Sequence, residues 1–234
     1  MTELLAVLDR HTAALLATAA TFTDDDLAAG SLCAGWTRGH VLSHLARNAE
    51  GLTRLARAAL EGTGETMYAS TEAREADIEA GARRPVAEQV RDLTETAAAL
   101  EATLRRLGPD QEDQRHERTP GGMLVRIGNL PAMRLREVVY HHIDLQAGLT
   151  FDRLDSALDE GLLDRFLTVE LRSRRSDDPP PRLTVRTLDG GDGGAGAEWV
   201  LGTGDDGRVT VTGSRAGVLG WLARDLSDGV RVEA

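Results

Sequence analysis

Apolar residues recur every three or four positions from the N-terminus to about Arg175, and beyond Asp177-Asp178-Pro179-Pro180-Pro181 they alternate with polar residues and glycine. The first pattern is that of amphipathic helices, the second that of half-buried strands. Long helices are predicted over 2–21, 36–61, 84–107 and 130–147, and shorter ones over 24–29, 71–80 and 155–171. Thr23 precedes Asp24-Asp25-Asp26, which places acids in a first turn, and Pro85 and Pro131 lie near helix starts, where a missing N–H costs nothing. Strands are predicted over 182–188, 197–202 and 208–212, then a helix over 214–225 and a last strand over 229–233. The expected class is α+β: a four-helix bundle over 1–175 and a small α+β domain over 182–234. Gly190-Gly191-Asp192-Gly193-Gly194 reads as a loop between strands, since it lacks the spacing and the Lys-Ser/Thr of a phosphate loop.

Charge and cysteine usage narrow the partners. With 27 basic and 38 acidic residues the 234-residue chain carries a formal charge of -11 and has no basic block. Nucleic acid and anionic membranes are therefore not expected as partners. Cys33 is the only cysteine, so no internal disulfide can form and a reducing compartment is expected. The N-terminal residues lack a basic stretch followed by an apolar core, and no apolar run approaches the length of a membrane span. The expectation is a cytoplasmic, soluble monomer.

Three residues from separate segments suggest chemistry. Glu137 and His141 stand at i and i+4 in a helical segment and so share a face, and His44 lies on the second long helix. Two imidazoles and one carboxylate are a catalytic type of zinc ligand set, because three protein ligands leave a fourth position for water or substrate. A Glu-x3-His pair on a helix is, taken alone, more often a surface hydrogen bond. His40, one turn before His44, could replace it; His142 projects about 100° from His141 and should miss the same ion. Asp144 could orient an imidazole or be a helix-surface acid, and His116 is expected to be solvated in a polar loop. Cys33 reads as a small apolar residue near a helix start rather than a nucleophile, and Trp36, Trp199 and Trp221 as core.

Four blocks carry a family resemblance: Leu32 to Ala49, with Gly35-Trp36-Thr37 and His40-x3-His44; Met67 to Ile78, with Tyr68-x-Ser70-x-Glu72-Ala73-Arg74; Arg134 to Leu145; and Thr212 to Gly217 with Ser227-Asp228-Gly229-Val230. In this order they resemble the mycothiol-dependent maleylpyruvate isomerases, members of the DinB-like superfamily of metal-binding four-helix bundles. The resemblance implies a divalent metal, zinc, on His44, Glu137 and His141, which demotes His40. It also implies a substrate-holding arginine at Arg74. A second family arginine is expected just before Ser-Asp-Gly-Val; strict alignment puts Asp225 there, with Arg224 one residue earlier, so either the register shifts or that contact is lost. Such enzymes use mycothiol, a low-molecular-weight thiol, on a small anionic substrate. The implied activity is isomerisation of maleylpyruvate or a close analogue to fumarylpyruvate by thiolate addition, bond rotation and elimination. A mycothiol S-transferase would use the same thiolate and consume it; a noncatalytic metal-stabilised ligand-binding protein would show metal without turnover.

Overall fold

The computed structural model describes residues 2–177, 181–188, 196–204 and 207–233. The chain divides into two compact units, Met1–Ala147 and Gly148–Ala234. This division lies well before the composition change at 175 to 182. The reason is packing: the helix from Glu160 to Arg175 sits against the helix from Arg215 to Arg224, and so belongs with the C-terminal unit. Residues 178–180 of the proline segment and the glycine run 190–194 lie outside the described residues.

In the N-terminal unit the long helices are α1 (Thr2–Ala19), α3 (Arg38–Glu61), α5 (Val86–Leu104) and α7 (Leu130–Asp144). Short helices α2 (Asp24–Ala28) and α4 (Thr71–Ala82) precede and follow α3. Each of α1 and α3 packs on both α5 and α7, which closes a ring of four helices around Leu15, Leu45, Leu52, Leu93, Leu100, Leu135 and Val139. Thr37 caps α3 by accepting from the His40 backbone N–H, and Gly62 ends it in the left-handed region at φ 69°, a conformation glycine adopts without a Cβ penalty. Helix α4 lies close on α3: a Cβ at Gly39 would stand 2.6 Å from the Ala82 carbonyl oxygen, so a side chain there would push the two helices apart.

The polar stretch containing His116 is not a loop. A short helix α6 (Pro109–Glu112) leads into an antiparallel hairpin of β1 (Arg115–Glu117) and β2 (Leu124–Arg126), in which His116 faces Val125 across the ladder. Three-residue strands are too short to show an alternation in sequence.

The C-terminal unit holds α8 (Leu154–Ala157), α9 (Glu160–Arg175), β3 (Leu183–Thr187), β4 (Glu198–Leu201), β5 (Val209–Gly213), α10 (Arg215–Arg224) and β6 (Val230–Glu233). The single helix expected over 155–171 is broken at Leu158, which is extended, and Asp159 restarts it by accepting from Leu162 N–H at 2.9 Å. The sheet order is β4-β3-β5-β6; β3 and β5 are parallel, and both outer pairs are antiparallel. Val185, Val211, Val218, Leu219 and Leu222 form the core between this sheet and α10. Of the three tryptophans, none is fully buried; Trp199 and Trp221 are half-covered within this unit. Among the described residues no helix is long and apolar enough to cross a membrane.

Candidate active site

Helix α7 supplies two of the three predicted residues, Glu137 and His141, from one face, as their spacing requires, and α3 supplies His44 from across the ring. Glu137 Oε2 lies 2.8 Å from His44 Nε2 and 3.4 Å from His141 Nε2. His44 is 5% exposed. The three side chains border a cavity of about 460 Å³ whose walls include Trp36, Asn48, Met67, Tyr68, Arg74 and Arg136. Trp36 is thus a cavity wall rather than core, its ring centroid 5.4 Å from that of His44.

Two other histidines of these helices lie outside the trio. His40 Nδ1 accepts from Thr37 N–H in the α3 capping box, and its Nε2 bonds Glu79 at 2.9 Å, so it stays outside the trio. His142 points to α1, where its Nε2 meets the Thr18 hydroxyl at 2.8 Å. Asp144, fully buried, accepts from His141 Nδ1 at 2.7 Å, which fixes that ring. Cys33 is not core: it borders the cavity, and its thiol donates to Asp144 Oδ2 at 3.2 Å and lies 3.9 Å from His141 Nδ1.

Protonation follows from these partners. Burial pushes His44 down to about 4, although Glu137 favours its charged form, so this imidazole is neutral near pH 7. Arg74 Nη2 donates to His44 Nδ1 at 3.0 Å; a guanidinium has only donors, so Nδ1 accepts and Nε2 carries the hydrogen toward Glu137. Burial also works against the charge on His141, but acceptance by Asp144 and Glu137 outweighs it and holds His141 well above the usual imidazole range. Glu137 is pushed up by burial and pulled further down by hydrogen bonds from His141 and His44, leaving it ionised.

Three arginines border the same cavity. Arg74, expected from sequence, is carried by α4 and lies with its guanidinium carbon 5.7 Å from the Tyr68 ring centroid; Arg118 is 5.4 Å from that ring, and Arg136 precedes Glu137 on α7. Sequence reasoning did not single out Arg118 or Arg136, because a lone arginine beside a hairpin or on a helix carries no spacing signal. Arg224 is the last residue of α10 in the C-terminal unit, and Asp225 caps that helix with φ 54°.

A second donor group, Cys33, His141 and Asp144, shares His141 through its other ring nitrogen. Its members already hydrogen-bond one another, with Asp144 accepting from both. His44, Glu137 and His141 all border the open cavity, whereas Asp144 of the second group does not.

Residues 8–146 match the family model of the mycothiol maleylpyruvate isomerase N-terminal domain. The chain is also similar to the crystal structure of a mycothiol-dependent maleylpyruvate isomerase, with 27% identity and a TM-score of 0.86 over 99% of this chain and 92% of that one. A crystal structure of a histidine-to-alanine mutant of a mycothiol-dependent maleylpyruvate isomerase matches with 26% identity, the same TM-score and the same coverage. No curated protein matches. With the family model covering more than half of its length, the chain belongs to the mycothiol maleylpyruvate isomerase family, a family of enzymes.

Proposed function

We propose that this protein is a metal-dependent and mycothiol-dependent cis-trans isomerase that converts maleylpyruvate, or a close analogue, to fumarylpyruvate. The observation that carries this reading is the convergence of His44, Glu137 and His141 on an arginine-lined cavity in a member of this family.

The donor set fits a divalent metal, with zinc the expected ion. Two imidazole nitrogens and a carboxylate oxygen lie within 4.8 Å of one another, and Asp144 holds the His141 Nδ1 hydrogen so that Nε2 can serve as the ligand. When bound, the metal acidifies a coordinated thiol and mycothiol supplies that thiol, whose sulfur adds reversibly to the conjugated double bond. Arg74, Arg118 and Arg136 hold the anionic ends of the substrate, a guanidinium offering a fixed fork of donors to each carboxylate. Arg224 remains the candidate for the family's second arginine. Trp36, Met67 and Met133 give the cavity apolar walls that keep water from the reacting atoms.

Metal occupation makes two demands on the protein: His141 gives up the hydrogen that Nε2 shares with Glu137, and His44 changes tautomer. A neutral imidazole bound through Nε2 carries its hydrogen on Nδ1, and at His44 that position now accepts from Arg74. In a metal-bound protein Arg74 would therefore release His44 Nδ1, which would free its guanidinium for a carboxylate.

The test is incubation of the zinc-loaded protein with maleylpyruvate and mycothiol, followed by product and thiol analysis. Fumarylpyruvate should accumulate with the thiol regenerated, and omission of mycothiol should stop turnover. Stoichiometric thiol consumption with a thioether product would replace isomerase by S-transferase.

A further inference from the structure

Asn48 lies one turn beyond His44 on α3, is 6% exposed, and borders the cavity beside His44, Glu137 and His141. Chemistry fixes which end of its amide faces Arg134. Arg134 on α7, 1% exposed, sends Nη1 to the Leu45 carbonyl at 2.8 Å and to Asn48 Oδ1 at 2.8 Å. Because a guanidinium can only donate, the amide atom facing it must be the oxygen. Asn48 Nδ2 is then turned away from Arg134, and it has no protein acceptor among the described residues. A fully buried arginine is costly to keep. Its Nη1 ties the Leu45 carbonyl and the Asn48 amide oxygen, and the second of these bonds orients one neutral N–H donor.

We propose that Asn48 is a further catalytic residue, donating through Nδ2 to the substrate's carbonyl oxygen as negative charge gathers there, and that Arg134 is the residue that positions it. The proposal rests on the isomerase reading above. The electron count closes without an oxidant or reductant: a C–S bond forms at the alkene carbon β to the ketone, the alkene π pair becomes the C=C of an enolate, and the carbonyl π pair moves onto the oxygen. Rotation about the resulting single bond follows, and return of the pair restores the double bond as the C–S bond breaks and the thiolate leaves. The charge on that oxygen is transient, so a fixed neutral donor favours the transition state without tightening the resting complex, whereas the arginines suit permanent carboxylates.

Asn48→Ala and Asn48→Asp, each loaded with zinc, test this against the parent. The aspartate is nearly isosteric and pairs with Arg134, so the thermal midpoint and zinc content should match the parent while the cavity receives an acceptor in place of a donor. Both variants should lose about 100-fold to 1,000-fold in kcat, the usual cost of removing one such donor, with KM for maleylpyruvate and for mycothiol changed by less than about threefold. Arg134→Met should lower kcat as well, and adding Asn48→Ala to it should cost much less than in the parent, since the amide has already lost its orientation. If Arg134→Met does not fold, the two Asn48 variants decide alone. A parent that turns over alongside an Asn48→Asp variant of equal kcat overturns this proposal and leaves the isomerase reading standing; an inert parent overturns both.

Discussion

The two units spend their interiors differently. The sheet and α10 of the C-terminal unit bury mainly aliphatic side chains, Val185, Leu201, Val211, Val218 and Leu219 among them, and their buried cation, Arg215, is paired with Asp164 at 2.8 Å. The helical unit also has an aliphatic centre, yet between α3 and α7 it buries His44, Asn48, Arg134 and Asp144. Buried charges seldom add net stability, because desolvation offsets most of the attraction. The difference teaches where to look: one unit is filled as a core is filled, and the other gives up part of its interior to groups whose protonation and direction are controlled by their neighbours.

The strongest way to break this contrast is to remove the trio. His44→Ala and His141→Ala should each abolish turnover, by at least about 1,000-fold, and drop zinc from about one per chain toward zero, while the far-ultraviolet circular dichroism stays close to that of the parent because helix packing holds the unit. Glu137→Gln should weaken zinc binding in the same direction, whereas His40→Ala should keep the metal. Full occupancy in both histidine variants would remove the contrast.

Arg74→Ala should come next, lowering kcat/KM by about 100-fold with zinc retained, and Arg74→Lys should recover only part of this, since a point charge cannot reproduce a bidentate fork. Arg224→Ala, measured beside it, shows independently whether an arginine of the C-terminal unit contributes; a neutral result would single out the Asp225 register as a departure from the family pattern.

The aliphatic side of the comparison is sharpened by Val185→Ala in β3, at a fully buried position. It should cost about 2 kcal/mol, from two lost methylene equivalents and the cavity they leave, and should speed amide exchange in the sheet without changing zinc content.

The smallest effect concerns His142, held at about 4 by burial and then by the charge of His11. Its folded value lies below the unfolded value near 6.5, so as pH falls the unfolded chain binds the proton first. The stability difference between parent and His142→Gln should therefore be flat above about pH 6.5 and turn against the parent as pH falls toward 4. Urea midpoints for both proteins at several pH values check the sign.

Much of this was open to sequence reasoning. The long helices and the strands repeat their apolar positions often enough to be seen, and Glu137 and His141 advertise a shared face through their spacing. The choice of His44 over His40, and the role of Arg74, needed the family resemblance, because residues on different helices have no spacing in common. Trp36 was misassigned because large rings usually fill cores, and the hairpin around His116 is too short for any period. Asn48 and Arg134 read as ordinary polar helix residues: only packing of α3 against α7 buries the arginine and decides which way the amide points.

The hydrogen bond from Arg74 to His44 Nδ1 has a thermodynamic consequence under the proposed function. If a metal ion and a guanidinium make opposing demands on one imidazole, their affinities for it are linked, and linkage is reciprocal. Arg74→Ala should then bind zinc more tightly than the parent, and a carboxylate that draws Arg74 away should raise zinc affinity by the same factor with which zinc raises its own. Substrate and metal would thus be positively cooperative through a single arginine, with no movement of the helices that carry them.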